Sequence, residues 1–456
     1  MVYMDTAILN VAYSDLLNDY GVSRQRQLTW VFSAYSIAFA AALLTAGRIS
    51  DRFGRKRAFI GGVIGFAIGS VLCVASTTVG FLIAARIVQA FAGAFIVPSA
   101  FALILPEFPP EKRSAAIGIS GAIGGLSGAF GPVIGGVLVD HFGWRSVFTI
   151  NVPISILAVA VGVRMLRESK DETTTSIPDP LGGILAIMGF GLLTATIVEG
   201  DSWGWASART ILAILASIAL LVSFVARSRR HPVPVVDLSL FKLRFFSAAN
   251  VSAVLFSAAF FGMFFTNIGF LQNVLHYSPS RSGLASAPGP LMAAIVAGPA
   301  GTAAAQRGHK LIIGIGLAFF TAGLVLMYNV VSPTVSYWAF LPAYLVTGFG
   351  VGLTISTLGS ASSAFLPPHR FGMGSAVNST GRQIGAGMGI AAVTALRIAA
   401  ADHDVMTGVR RSWLFSIVMA ALAFIAMAVI YRKPTAAEID ASRVRPAGRG
   451  DLQLER

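Results

Sequence analysis

Apolar residues in this chain come in long runs separated by short polar loops. Crossing a hydrocarbon core of about 30 Å takes about 20 helical residues, and about fourteen runs approach or meet that length. They lie at 1–17, 28–47, 58–76, 79–105, 114–138, 146–166, 180–199, 209–227, 245–271, 283–304, 310–331, 335–362, 372–396 and 412–431. Helices are expected throughout, because lipid offers no partner for open backbone groups and no run alternates in the manner of barrel strands. The pattern predicts an all-α polytopic membrane protein, with linkers too short to hold a soluble domain.

Composition agrees with the pattern. Hydrophobic residues make up 55% of the chain and charged residues 12%, against roughly 25% charged in a soluble domain. The formal charge of +14 raises the question of a nucleic-acid partner, which would need a basic face with stacking aromatics. The basic residues sit instead in short loops between apolar runs, so no nucleic-acid partner is expected. With the first run starting inside, 24 lysines and arginines fall on the cytoplasmic side and 8 on the other, with Arg86 and Arg382 inside runs. Short cytoplasmic loops carry the basic excess, so both termini are expected in the cytoplasm of a multi-pass plasma-membrane protein. Cys73 is the single cysteine, which rules out an intrachain disulfide and a cysteine metal cluster. No secretory leader is read at the start, which lacks a basic n-region and a small-residue cleavage site.

A repeat emerges when "GRISDRFGRK" at 47–56 is laid on "GTAAAQRGHK" at 301–310, a constant offset of 254. Gly47 meets Gly301, Gly54 meets Gly308 and Lys56 meets Lys310. Both stretches follow the second helix of a set of six. The expected plan is an N-terminal six-helix half at 1–166, two inserted helices with linkers at 167–240, a C-terminal half at 241–431 and a cytoplasmic tail at 432–456. Parallel repeats of this kind build rocking transporters with a site at their interface near mid-membrane.

Four stretches resemble the major facilitator superfamily, in particular its fourteen-helix drug:proton antiporters of the EmrB/QacA type. The loop "GRISDRFGRKR" is similar to the family loop G-x-L-A-D-x-x-G-R-K at Gly47, Asp51, Gly54, Arg55 and Lys56. Glycines permit the tight turn, and Asp51 can pair with the arginines or face a helix N-terminus, forming a conformational latch. A basic loop held by anionic lipid explains the arginines but not Asp51 with its glycines. "RIVQAFAGAFIVP" resembles a second motif at Arg86, Gln89 and Pro98, with Ala90 and Ala92 where two glycines are usual. An arginine inside a span is costly and normally faces the bundle interior; snorkelling to the nearby helix end is the alternative. The resemblance implies that Arg86 promotes proton release from a nearby carboxylate, consistent with opposite charges favouring the ionised acid.

"GPVIGG" resembles the antiporter motif at Gly131, Pro132, Gly135 and Gly136, with Ser127 at the usual place of an earlier glycine. Small residues four apart let helices approach and Pro132 removes a backbone bond, giving a packed, kinked hinge. The resemblance implies export rather than uptake. "GWRSVFTINVPI" at 143–154 and "FLQNVLHYSPSRSGLASAP" at 270–288 are softer matches that name no chemistry.

The opening "MDTAILNVAY" is similar to the family's first helix at Asp5, Ile8, Asn10, Val11 and Ala12. Full-length members carry a further half helix and a tail before that aspartate, whereas residues 1–17 span only about 25 Å. The resemblance therefore implies a shortened first helix, from a start set too late or from true loss. Asp5 is the best proton-binding candidate: neutral when protonated, and able to pair with a cationic substrate or with Arg86 when ionised. A polar residue that packs helices together is the alternative. Glu199 beside Trp203 and Trp205 is either a charge at the pathway mouth or an interfacial anchor, and Arg382, deep in its run, is expected to face the central cavity. Phe260, Phe261, Met263, Phe264, Phe265 and Tyr344 are expected to divide between an adaptable pocket and a lipid-facing surface.

The expected function is a proton-coupled exporter of amphipathic organic compounds by alternating access. The alternatives are a facilitator or exporter of one metabolite, or a non-transporting membrane sensor. No catalytic constellation, metal-spaced histidines or phosphate-cradling G-x-x-x-x-G-K-[ST] is present in the sequence, so no enzyme, cofactor or direct drive by ATP is expected. The partners are a small amphipathic substrate, protons and the lipid bilayer, and a monomer is expected to suffice.

Overall fold

The computed structural model describes residues 1–104, 107, 127–128, 130–170, 179–330, 332, 336–366, 368–400 and 404–433. Its helices are α1 (Val2–Val11), α2 (Tyr13–Tyr20), α3 (Gln25–Phe53), α4 (Arg55–Val74), α5 (Val79–Ile104), α6 (Phe130–Phe142), α7 (Ser146–Thr149) and α8 (Asn151–Met165). There follow α9 (Pro180–Trp203), α10 (Ala208–Arg230), α11 (Arg244–Asn273), α12 (Pro279–Ser286), α13 (Pro288–Arg307), α14 (His309–Val330), α15 (Tyr337–Ser363), α16 (Pro368–Ile398) and α17 (Val405–Ile430). Among the described residues, ten helices are long and apolar enough to cross a bilayer, or eleven if α3, bent by 45° between Leu43 and Thr45, is one span. Thr45 lies at the bend and its Oγ1 donates to the Ala42 carbonyl at 3.0 Å, the kind of side-chain competition that bends helices. The runs at 1–17 and 372–396 are helical as α1 with α2 and as α16, and the run at 114–138 is helical from α6 onward. Its earlier part, with Gly121 and Gly125, lies outside the described residues, as do 171–178 and 434–456.

The sequence repeat has a backbone counterpart. Gly54 between α3 and α4 has φ +118°, and Gly308 between α13 and α14 has φ +93°. Each closes the helix before it, Gly54 N–H donating to Ser50 and Gly308 N–H to Ala304, both at 2.9 Å. Only glycine takes such φ values without strain, so the shared glycine is a shared turn.

Buried apolar residues gather in separate clusters. One runs from Val235 to Tyr431 and takes in Phe256, Phe320 and Trp413. Others draw mainly on residues before Phe148, around Tyr35, Phe39 and Phe66 or around Leu28, Leu82 and Trp144. The two helix groups meet along a seam in which α3 packs on α16, and α9 lies against both. Ser33 donates to the Gly387 carbonyl at 3.1 Å and Thr380 to the Ala40 carbonyl at 3.2 Å.

The seam is bridged by side chains at the end of the bundle where α4 turns into α5. There Tyr13 and Phe265 rings meet edge-on at 4.8 Å, and Asp140 Oδ2 accepts from the Ser280 N–H at 2.9 Å. The chain kinks at Ala12 between α1 and α2, and the Val11 carbonyl accepts from Gln272 Nε2 at 3.0 Å. Ser14 Oγ completes the bridge by donating to Gln272 Oε1 at 2.6 Å.

Candidate functional site

The site is built on α1. Asp5 is 2% exposed, and Arg86 on α5 and Asn151 at the head of α8 are 1% and 0% exposed. Asp5 Oδ2 accepts from Arg86 Nη1 at 2.6 Å. Its other oxygen, Oδ1, accepts from Asn151 Nδ2 at 2.8 Å and from Gln89 Nε2 at 3.2 Å. Gln89 lies one turn from Arg86, also accepts from Arg86 Nη1, and donates to Ser70 Oγ on α4 at 2.8 Å. Arg86 Nε reaches the Val31 carbonyl at 3.3 Å. Its guanidinium lies 4.0 Å from the centre of the Tyr35 ring and 5.6 Å from that of Phe148.

This resolves the two readings of Arg86: it faces the bundle interior rather than snorkelling. A buried ion pair survives only when its remaining donors and acceptors are met, and removing one partner strands a charge. Here the carboxylate has three side-chain donors. The arrangement joins α1, α3, α4, α5 and α8 around one carboxyl group.

Glycines seat α1 beside α6. A Cβ at Gly131 would lie 2.7 Å from the Ala7 Cβ, and one at Gly135 would lie 2.7 Å from Ile8 Cγ2. On the other side, a Cβ at Gly136 would strike the Pro279 carbonyl, and one at Gly283 of α12 would strike the Pro132 carbonyl. Thus α6 is pressed between the helix that carries Asp5 and a helix of the other group. The sequence reading anticipated close packing at Gly131, Pro132, Gly135 and Gly136, but not that it bridges the seam.

The loop residues gather apart from Asp5. A Cβ at Gly47 would lie 3.7 Å from the Pro98 Cβ. Asp51 pairs with Arg55 at 2.7 Å within one turn, and Lys56 Nζ donates to the Val163 carbonyl at 2.8 Å. The carboxylate at the N-terminus of α4 is that of Glu168, which accepts from the backbone N–H of Lys56 at 3.0 Å and of Arg57 at 3.2 Å. Gly54 leaves room for it, since a Cβ there would lie 2.8 Å from that carboxylate.

Arg382 and Glu199 do not join the Asp5 cluster. Arg382 is half-buried on α16, with Nη2 3.5 Å from Ser379 Oγ, and among the described residues no carboxylate pairs with it. Glu199 accepts from Ser202 Oγ at 2.9 Å at the end of α9. Phe264, Phe265, Met263 and Tyr344 are 5% exposed or less and lie inside the bundle, while Phe260 and Phe261 are half-buried. Phe260, Met263 and Tyr344 line a narrow crevice with Gly289 and Thr347 between α11, α13 and α15.

Sequence reasoning did not single out Asn151, Ser70, Tyr35, Glu168 or Gln272. An asparagine inside an apolar run, within "FTINVPI", was the available signal for Asn151. The others become visible only when distant helices are brought together.

These helices and this cluster define a polytopic membrane transport fold. The chain belongs to the Major Facilitator Superfamily, whose profile matches residues 1–186 and 180–390. It is 30% identical over 407 residues to "Multidrug resistance protein B homolog" of Mycobacterium tuberculosis, covering 89% of this chain and 75% of that one. It is 32% identical over 394 residues to "Multidrug resistance protein 3" of Bacillus subtilis, covering 86% and 76%. It is 30% identical over 400 residues to "Tetracenomycin C resistance and export protein" of Streptomyces glaucescens, covering 87% and 73%. Among solved structures, its fold is similar to that of a peptide transporter of the POT family, with TM-score 0.65, 15% identity and coverage of 93% and 92%.

Proposed function

We propose that the protein is a drug exporter coupled to protons, of the fourteen-helix antiporter type, which moves small amphipathic compounds by alternating access. The observation that carries this reading is the buried Asp5–Arg86 pair at 2.6 Å. The names of the relatives support drug export, and the pair supports coupling. With Asp5 ionised the pair is matched. When Asp5 takes a proton the attraction to Arg86 falls, and the guanidinium must find new partners or move.

Helix α1 carries that change to the seam. Asp5 and Val11 are six residues apart, about 9 Å along α1, and Val11, with Ser14 at the start of α2, bonds Gln272 across the seam. Protonation at one end of α1 thereby biases the junction at the other. We place the basic loop at 47–57 in the cytoplasm, which makes the bridged end of the seam the outer gate and the described conformation closed to the outside.

Residues 1–166 and 241–431 act in this scheme as the two rocking halves. The inserted pair at 167–240 flanks the seam, α9 lying against both α3 and α16. Asp51, Arg55 and Lys56 with Gly47 and Gly54 form the cytoplasmic latch, and the crevice at Phe260 and Tyr344 is the adaptable part of the pathway. Arg382 and Glu199 serve the pathway outside the coupling cluster. One chain suffices, both termini lie in the cytoplasm of the plasma membrane, and the proton gradient is the drive, without a cofactor. Efflux of a panel of amphipathic dyes from a pump-deficient host, compared with Asp5→Asn, tests the reading. A chain that folds and exports nothing from the panel contradicts it.

A further inference from the structure

Asn151 is fully buried at the first position of α8, and its two amide atoms are used unequally. Nδ2 donates to Asp5 Oδ1 at 2.8 Å, while Oδ1 is buried with no hydrogen-bond partner among the described residues. A buried acceptor left unpaired is costly. The neighbouring Gln89 is committed at both ends, its oxygen to Arg86 and its nitrogen to Ser70 and Asp5.

An ionised carboxylate only accepts hydrogen bonds, whereas a protonated one also donates. An amide that turns about its last torsion exchanges N–H for C=O at the same place. We infer that Asn151 is a positioning residue that sets the pH at which Asp5 exchanges its proton, by turning N–H toward the carboxylate and C=O toward the acid. The inference rests on the reading of Asp5 as the proton site. The titratable groups that face Asp5 are Arg86 from α5, Cys73 from α4 and the Met1 amino group one turn earlier, with Tyr35 of α3 against Arg86. Of the side chains that hydrogen-bond Asp5, Asn151 is the amide whose oxygen is without a partner among the described residues.

The full chain in nanodiscs provides the test. The infrared band of a protonated carboxyl is titrated with pH, and the part lost in Asp5→Asn is assigned to Asp5. Asn151→Leu removes a charge-assisted bond to the carboxylate and a weaker neutral one to the acid, so the midpoint moves up by about one pH unit. Asn151→Thr, whose hydroxyl both donates and accepts, returns it to within about half a unit of the parent. The pH of half-maximal drug-dependent proton flux moves with the band. If Asn151→Leu lowers thermal stability and leaves the midpoint in place, Asn151 is a structural residue only and the inference fails. Should Asn151→Leu not fold, Asn151→Ala is expected to shift the midpoint with the same sign, and an unmoved midpoint there overturns it equally. If Asp5→Asn removes no titrating band, the reading of Asp5 fails instead.

Discussion

The carbonyl of Val11 and the side-chain amide of Gln272 are joined at 3.0 Å across the seam between the two helix groups. Val11 lies in the same helix as Asp5, fewer than two turns further on. The kink at Ala12 is the physical reason this carbonyl accepts from outside its own helix, since a break in a helix leaves carbonyls without their usual partners. One side chain of the C-terminal group therefore holds the helix that bears Asp5.

Gln272→Leu is expected to loosen the closed end. Two hydrogen bonds are lost, each contributing about 0.5 to 1.5 kcal/mol, together about 1 to 3 kcal/mol, so the population open at this end rises about five- to 150-fold. Spin labels on α2 and α12, read as a distance distribution, measure that change. An unchanged distribution removes Gln272 from the gate.

Enlarging Gly136 or Gly283 is expected to open the same end by steric clash rather than by loss of bonds. A valine at either position drives its side chain into a backbone carbonyl of the facing helix, and overpacking of this sort costs about 1 to 3 kcal/mol. The closed end is forced apart while each helix group still folds. Transport is lost, and a cysteine placed near Tyr13 becomes reactive to a membrane-impermeant thiol reagent.

Much of this arrangement was legible in the sequence. Asp5 and Arg86 stand out because a charge inside an apolar run is expensive and must find a partner, and the structure pairs them. Gly54 and Gly308 were matched by the repeat and share a positive-φ turn. Other parts were hidden for a common reason. Glu168 caps α4 from a linker more than a hundred residues further on, and Gly136 meets Pro279 across the seam. Such contacts depend on how helices cross, which no local pattern encodes. Arg382 shows the limit from the other side: the cost of burying it was evident, its carboxylate partner was not, and among the described residues none pairs with it.

Glu168→Gln tests the cap on α4. The two backbone N–H groups of Lys56 and Arg57 lose a charged acceptor at a helix N-terminus, an effect of about 0.5 to 1 kcal/mol. Hydrogen exchange at Lys56 and Arg57 is expected to rise several-fold, with exchange in α14 unchanged.

A second ion pair makes a pH prediction outside the spans. Asp179, just before α9, accepts from Arg227 Nε at 2.5 Å, and this hydrogen bond holds its carboxyl below the ordinary aspartate value. A lowered folded-state value means that stability from this pair is fully present above about pH 4, the unfolded range. It is lost as pH falls through the folded value. Thermal unfolding of the parent and of Asp179→Asn is expected to differ at neutral pH and to converge in acid. A difference that grows in acid contradicts the assignment.

The central claim is that Asp5 carries the coupling proton, and drug-dependent proton movement in proteoliposomes tests it most directly. Asp5→Asn keeps the volume of the side chain and removes its charge and its titration. The account predicts that this variant still binds a fluorescent amphipathic drug, yet moves no protons when drug is added, while the parent does. Proton movement in Asp5→Asn equal to that of the parent would contradict the account.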